Sequence, residues 1–127
     1  MLGAGAAPAE TALRKCLNDF SEPVQVVAAE ALARMGKVDV ALPVLERCLG
    51  NTNSPWVGLQ AANVLDRLGN EARPSLKFMS QHLNALPDER ELPSDPFAYQ
   101  RRILNHATSV LEGKTQPLVY TSAEATR

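Results

Sequence analysis

Val24–Gly36 reads VQVVAAEALARMG, and Val57–Gly69, 33 residues further on, reads VGLQAANVLDRLG. Ala28 corresponds to Ala61, Ala29 to Ala62, Leu32 to Leu65, Arg34 to Arg67 and Gly36 to Gly69. A fixed period of this length marks stacked-repeat chains, in which each unit shelters its apolar face only against its neighbours. Within the first copy Val24, Val27, Ala28, Ala31, Leu32 and Met35 recur at steps of three and one. A 3.6-residue period produces that spacing and an alternating strand does not. The fold class expected is all-α, a short α-solenoid of about three helical hairpins in a right-handed superhelical stack.

Six helices follow from reading outward. The first covers about residues 9–18, with Ala9, Leu13, Cys16 and Leu17, and then Phe20, at inward spacing. The second runs from Val24 to Gly36 with the inward set given above. The third starts near Asp39 and carries Ala41, Leu42, Leu45, Cys48 and Leu49. Ser54-Pro55 gives an N-cap and a proline at the first helical position of the fourth. Its core side is Val57, Ala61, Val64, Leu65 and Leu68, and Gly69 is its left-handed stop. The fifth uses Ala72, Leu76, Met79, Leu83 and Leu86, with Pro74 near its start, where a missing amide costs little. Asp95-Pro96 opens the sixth, with Ile103, Leu104, Ala107, Val110 and Leu111 inward. Residues 1–112 form the repeat domain, in units at about 8–36, 37–69 and 70–112. Residues 113–127 read as an irregular tail. The long polar connection at 87–95 is an insertion that either meets a partner or is plain surface loop.

The totals agree with a repeat stack. The 127 residues leave room for one domain, and 45% are hydrophobic while six are aromatic, so the interior is aliphatic. Thirteen basic and fourteen acidic residues leave a net charge of −1, which argues against a phosphate-backbone binder. No partnership with nucleic acid or membrane is expected. No stretch approaches the roughly 20 apolar residues that span a bilayer. The opening MLGAGAAPAE lacks the charged and apolar regions of a signal peptide, and the compartment stays open. Cys16 and Cys48 sit at matching places on successive first helices. Equivalent positions there lie about 8–10 Å apart, beyond the roughly 7 Å a disulfide tolerates, so both read as small apolar side chains.

No catalytic constellation is visible. His82 and His106 lack a nearby cysteine or aspartate in metal-ligand spacing. Asp88, Glu89, Glu91 and Asp95 lack the alternation and turn glycine of a calcium loop. Gly3-Ala-Gly5 precedes no strand–turn–helix unit. Neither a cofactor nor a metal is expected.

Pro23-Val24…Ala28-Ala29…Ala31-Leu32…Gly36 and Pro55-Trp56-Val57…Ala61-Ala62…Val64-Leu65…Leu68-Gly69 resemble HEAT repeats. So do the prolines inside first helices, in Ala41-Leu42-Pro43-Val44-Leu45 and Ala72-Arg73-Pro74-Ser75-Leu76. The likeness covers about residues 8–112. Members often place an arginine just after the valine of the second helix and an aspartate in the preceding turn. Here the arginine places hold Gln25 and Gly58, and Asp19 alone could serve as the aspartate, so no Asp–Arg ladder is carried over. More narrowly, Pro55-Trp56-Val57-Gly58-Leu59-Gln60-Ala61-Ala62-Asn63-Val64-Leu65-Asp66-Arg67-Leu68-Gly69, Ala72-Arg73-Pro74 and Asn105-His106-Ala107 resemble HEAT segments at the C-terminus of bacterial formylglycine-type sulfatases. That resemblance implies an accessory end of an exported hydrolase. Neither cysteine fits the C/S-x-P-x-R motif, so no catalytic residue is carried over.

The resemblance also implies that the second helices line the inner, concave curve. The candidate partner surface is Glu30, Arg34, Trp56, Gln60, Asn63, Arg67, Arg101 and Asn105. Glu30 and Arg34 form an i,i+4 pair. Trp56 either plugs the groove between repeats, the expected role, or anchors a partner. Arg101-Arg102 either grips an anion or solubilises the last helix. The expected partner is a protein, either a missing catalytic domain of the same polypeptide or a separate protein held by a stand-alone scaffold.

Overall fold

The computed structural model describes residues 3–86 and 96–114, with side chains from residue 8 onward. Helix α1 spans Gly3–Cys16, α2 Glu22–Arg34, α3 Val38–Gly50 and α4 Pro55–Leu68. A 3-10 segment at Gly69–Ser75 leads into α5, Leu76–Ala85, and α6 is Pro96–Leu111. The chain is an all-α short solenoid. Helices α2, α4 and α6 pack side by side as second helices, and α3 lies behind α2 and α4. None of the helices is long and apolar enough to cross a membrane, among the described residues.

The ends of α2 and α6 are set by glycine. Gly36 has φ +87°, its amide donates to the Ala33 carbonyl at 3.0 Å, and the Lys37 amide donates to Leu32 at 2.9 Å. These are the two bonds of a Schellman close, which requires a left-handed residue at that point. Gly113 repeats the device after α6, with Lys114 donating to the Ser109 carbonyl at 2.8 Å. Gly69 behaves differently from its expected role. Its φ is +59° but its ψ is −126°, so it turns the chain into the 3-10 segment rather than into a left-handed close. Pro74 and the buried Ala72 belong to that segment, and α5 is shorter than the sequence pattern suggests. Ser75 is completely buried and donates through Oγ to Glu46 Oε2 at 2.6 Å, which seats the 3-10 segment on α3. At Ser54 the helix begins where expected, with Pro55 next, but the serine side chain makes no capping bond.

The core is aliphatic. Leu32, Leu45, Leu49, Val64, Leu65, Met79 and Leu104 are its largest enclosed hydrophobic side chains, and Ala28, Ala29, Ala33, Ala41, Ala61 and Ala62 let the helices approach closely. The inward sets expected for α3 and α4 are found there, with Val57 half-buried. The set expected for α2 is rotated. Gln25, Val26, Ala28, Ala29, Leu32 and Ala33 are buried, whereas Val24 is 39% and Val27 67% exposed. Close packing selects the side that carries Ala28, Ala29 and Ala33, takes Val26 with it, and leaves Val24 and Val27 outside. Phe20, expected to follow the inward face of α1, is fully exposed in the turn. Cys16 is half-buried and Cys48 buried, and neither is in a disulfide. The tail at 115–127 and the connection at 87–95, with its four acidic residues, lie outside the described residues.

Candidate functional site

The outward faces of α2 and α4 carry two stripes at one spacing. Pro23, Val27, Glu30 and Arg34 stand at i, i+4, i+7 and i+11 on α2, and Trp56, Gln60, Asn63 and Arg67 repeat the pattern on α4. Such residues lie above one another on a helix. Glu30 joins the stripes. Its Oε2 accepts from Arg34 Nη2 at 3.0 Å and from Arg67 Nε at 3.1 Å, and its Oε1 accepts from Arg67 Nη2 at 3.0 Å. The expected Glu30–Arg34 pair is therefore one arm of a clamp that spans two repeats. The hydrogen bonds from Arg67, and then those from Arg34, hold the Glu30 carboxyl below its ordinary value of 4.5 against the opposing effect of burial. Glu30 in turn holds the Arg67 guanidinium proton more tightly than usual.

A further tie between neighbouring second helices is His106 Nδ1 to Asp66 Oδ1, at 2.7 Å. The other ring nitrogen of His106 is buried without a hydrogen-bond partner, so the imidazole is turned into the helix interface. Among the described residues no group of three His, Cys, Asp or Glu side chains converges as metal ligands would. Burial pushes the Cys48 thiol up from its ordinary value, which keeps it protonated and unreactive.

The remaining candidates separate. Trp56 is 60% exposed, so it does not plug the groove between repeats. Gln60 is exposed and Asn63 half-buried in the α4 stripe, and Asn105 is exposed on α6. Arg101 turns toward α5, where Nη2 donates to the Leu86 carbonyl at 2.6 Å. Its neighbour Arg102 lies over the Tyr99 ring, 5.3 Å from the centroid. The side chains the sequence reading did not place on the surface are Phe20, Val24, Val27 and Tyr99. With Trp56 these are the exposed large hydrophobic residues of the described chain. All five stand in the turn before a second helix or within its first two turns.

The stripes sit on a polar framework that repeats with the helices. Asp19 Oδ1 accepts from the Ser21 amide at 2.8 Å, and Asn51 Oδ1 accepts from the Asn53 amide at 3.1 Å. Both are side-chain turns of one kind, so Asn51 occupies in the second repeat the place Asp19 has in the first. Asn51 Nδ2 also donates to Glu22 Oε2 at 2.9 Å, binding one turn to the next. Gln25 donates to the Asp19 carbonyl and accepts from Arg47. At the equivalent place in α4, Gly58 opens a space that Gln100 of α6 fills. A β-carbon on Gly58 would meet Gln100 Nε2 at 2.5 Å. Gln100 is 1% exposed, donates to the Pro55 carbonyl at 2.8 Å, and pairs with His82 Nε2 at 2.9 Å. Its carbonyl oxygen can only accept, so His82 carries its proton on Nε2. Amides thus take the place of a ladder of aspartates and arginines.

Helical hairpins stacked so that second helices form one continuous face define an α-solenoid, a class that acts by presenting surface. The model of the family described as HEAT repeats matches residues 10–91. That is well over half of the chain, which belongs to the HEAT-repeat family. HEAT repeats typically mediate protein–protein interaction. Neither the curated proteins nor the solved structures contain a match to this chain.

Proposed function

We propose that this chain is a non-catalytic interaction module whose second-helix face, centred on the Glu30 clamp and Trp56, receives a protein partner. One observation carries the reading. Two stripes of solvent-facing residues stand in register on α2 and α4, and a single carboxylate fixes their far ends together. A surface held in place before binding loses less side-chain freedom when a partner arrives. A solvent-exposed tryptophan is the residue type that most often dominates such contacts. Glu30, Arg34, Trp56, Gln60, Asn63 and Arg67 form this surface, Asn105 extends it onto α6, and Arg101 supports α6 from behind.

The narrower likeness, to the accessory end of a sulfatase-like hydrolase, rests on the wording of Pro55–Gly69 and on Asn105-His106-Ala107 alone. It makes the partner a catalytic domain encoded upstream in the same reading frame. An in-frame stop codon just before Met1 would exclude it and leave the stand-alone scaffold. The interaction reading itself is tested by selecting ligands from a random peptide library against the whole chain. Their footprint is then mapped by amide hydrogen exchange. Protection concentrated on α2 and α4 is the expected result, and a footprint on the outward side of α3 or α5 would overturn it.

A further inference from the structure

From the distribution of charge and apolar surface along the two stripes, we infer that the partner segment is acidic at one point and apolar at another, two or three residues away. This rests on the interaction reading above. At the turn end of the face, Phe20, Val24, Val27 and Trp56 are all exposed, at 101%, 39%, 67% and 60%. Large apolar side chains exposed along one end of a face suit cover by an apolar partner group. At the other end the Glu30 carboxylate is 22% exposed, while the Arg34 and Arg67 side chains above it are 56% and 52% exposed. The acidic oxygens lie underneath and the guanidinium groups face outward. Asp66, the other carboxylate that acts on Arg67, is 22% exposed and covered by His106.

Arg34 uses only Nη2 on Glu30, and Arg67 only Nε and Nη2. Among the described residues the outer N–H groups of both meet no other acceptor and face a partner's approach. Two guanidiniums on one carboxylate form a fork already spaced for an incoming carboxylate, a stronger match than scattered lysines supply. The spacing follows from helix geometry. The guanidiniums meet on Glu30, three residues or about 5 Å beyond Val27, and Glu30 matches Asn63, seven residues or about 10 Å beyond Trp56, at roughly 1.5 Å per residue. An extended segment advances about 3.3 Å per residue. It therefore places an aromatic or branched aliphatic residue against Val27 and Trp56 when its carboxylate, two or three residues on, reaches the arginine fork.

The same library selection tests this, through the sequences recovered. Enriched peptides are expected to share an aromatic or aliphatic residue and an Asp or Glu two or three positions from it. Trp56→Ala and the double substitution Arg34→Gln/Arg67→Gln should each weaken a selected peptide at least tenfold, and only the second should abolish the dependence of binding on salt. These side chains are exposed, so an unchanged far-UV circular dichroism spectrum is expected for each variant. If the double variant does not fold, Arg34→Gln alone is read instead, because it leaves the Glu30–Arg67 pair intact. Peptides that footprint on α2 and α4 but lack an acidic residue, or ignore the arginine changes, would overturn this inference and leave the interaction surface standing. Peptides that footprint elsewhere, or an absence of enrichment over the unselected library, would overturn both.

Discussion

Gln25 and Gly58 hold one place in successive repeats and solve one problem in opposite ways. Each follows the first valine of a second helix, where backbone carbonyls and buried polar groups need a partner. In α2 the amide comes from the helix itself, reaching back to Asp19 and across to Arg47. In α4 the side chain is absent, and Gln100 enters from the next second helix to bond Pro55 and His82. The stack keeps a buried amide at this level of each repeat rather than a residue at a position. The last pair can therefore depart from the pattern, with its 3-10 entry and longer connection, and still lock onto the pair before it.

The largest expected loss lies in the core the two repeats share. Leu65→Ala is expected to cost about 2–5 kcal/mol, and the equivalent Leu32→Ala less within that range, because α4 is enclosed by second helices on both sides and α2 on one. Urea denaturation measures both, and a larger loss at Leu32 would reverse the ranking of the layers. Next comes Gln100→Ala. It leaves a cavity and strips His82 and the Pro55 carbonyl of their partner, for a loss of about 1–3 kcal/mol. Gly58→Ala should be smaller. Helix propensity favours alanine by about 1 kcal/mol, but the new methyl displaces the Gln100 amide, so a net loss of about 1 kcal/mol is expected. A gain in stability would mean that Gln100 is not held as described.

Glu30→Gln is the mildest, at about 0.2–1 kcal/mol for an ion cluster open to solvent. Its pH dependence has a definite sign. The folded carboxyl titrates below its ordinary value of 4.5, so the stabilisation is fully present above that pH and disappears as pH falls through the lower folded value. Thermal melts of the wild type and Glu30→Gln should draw together as pH falls below 4.5 and through the lowered folded value. Curves that stay equally far apart down to pH 2 would show that the ionised carboxylate is not what stabilises the clamp.

Much of this architecture is legible in the sequence, because α3 and α4 alternate apolar and polar residues sharply enough to fix both helix and face. In α2 the pattern fails at the level of rotation. Between Pro23 and Ala33 only Gln25 and Glu30 are polar, and Gln25 is buried. An almost wholly apolar helix has no preferred face in its hydropathy, and its small residues decide which side packs. Size would have been the better guide. The candidate surface was half visible. Arg34 and Arg67 announce themselves through the repeat, whereas Val27 and Phe20 were assigned inward because they are apolar. Gln100 gave no sign of its own, although a glycine inside α4 was the one available hint of a close approach.

The Gly58–Gln100 fit also limits how such a chain could lengthen or shorten. A copy of the second unit placed elsewhere would bring a socket without its plug, and deleting the last unit would leave an opened notch in the one before it. New lengths would therefore require paired changes in two hairpins rather than simple tandem duplication. This stack resembles a set of keyed blocks more than a string of identical beads.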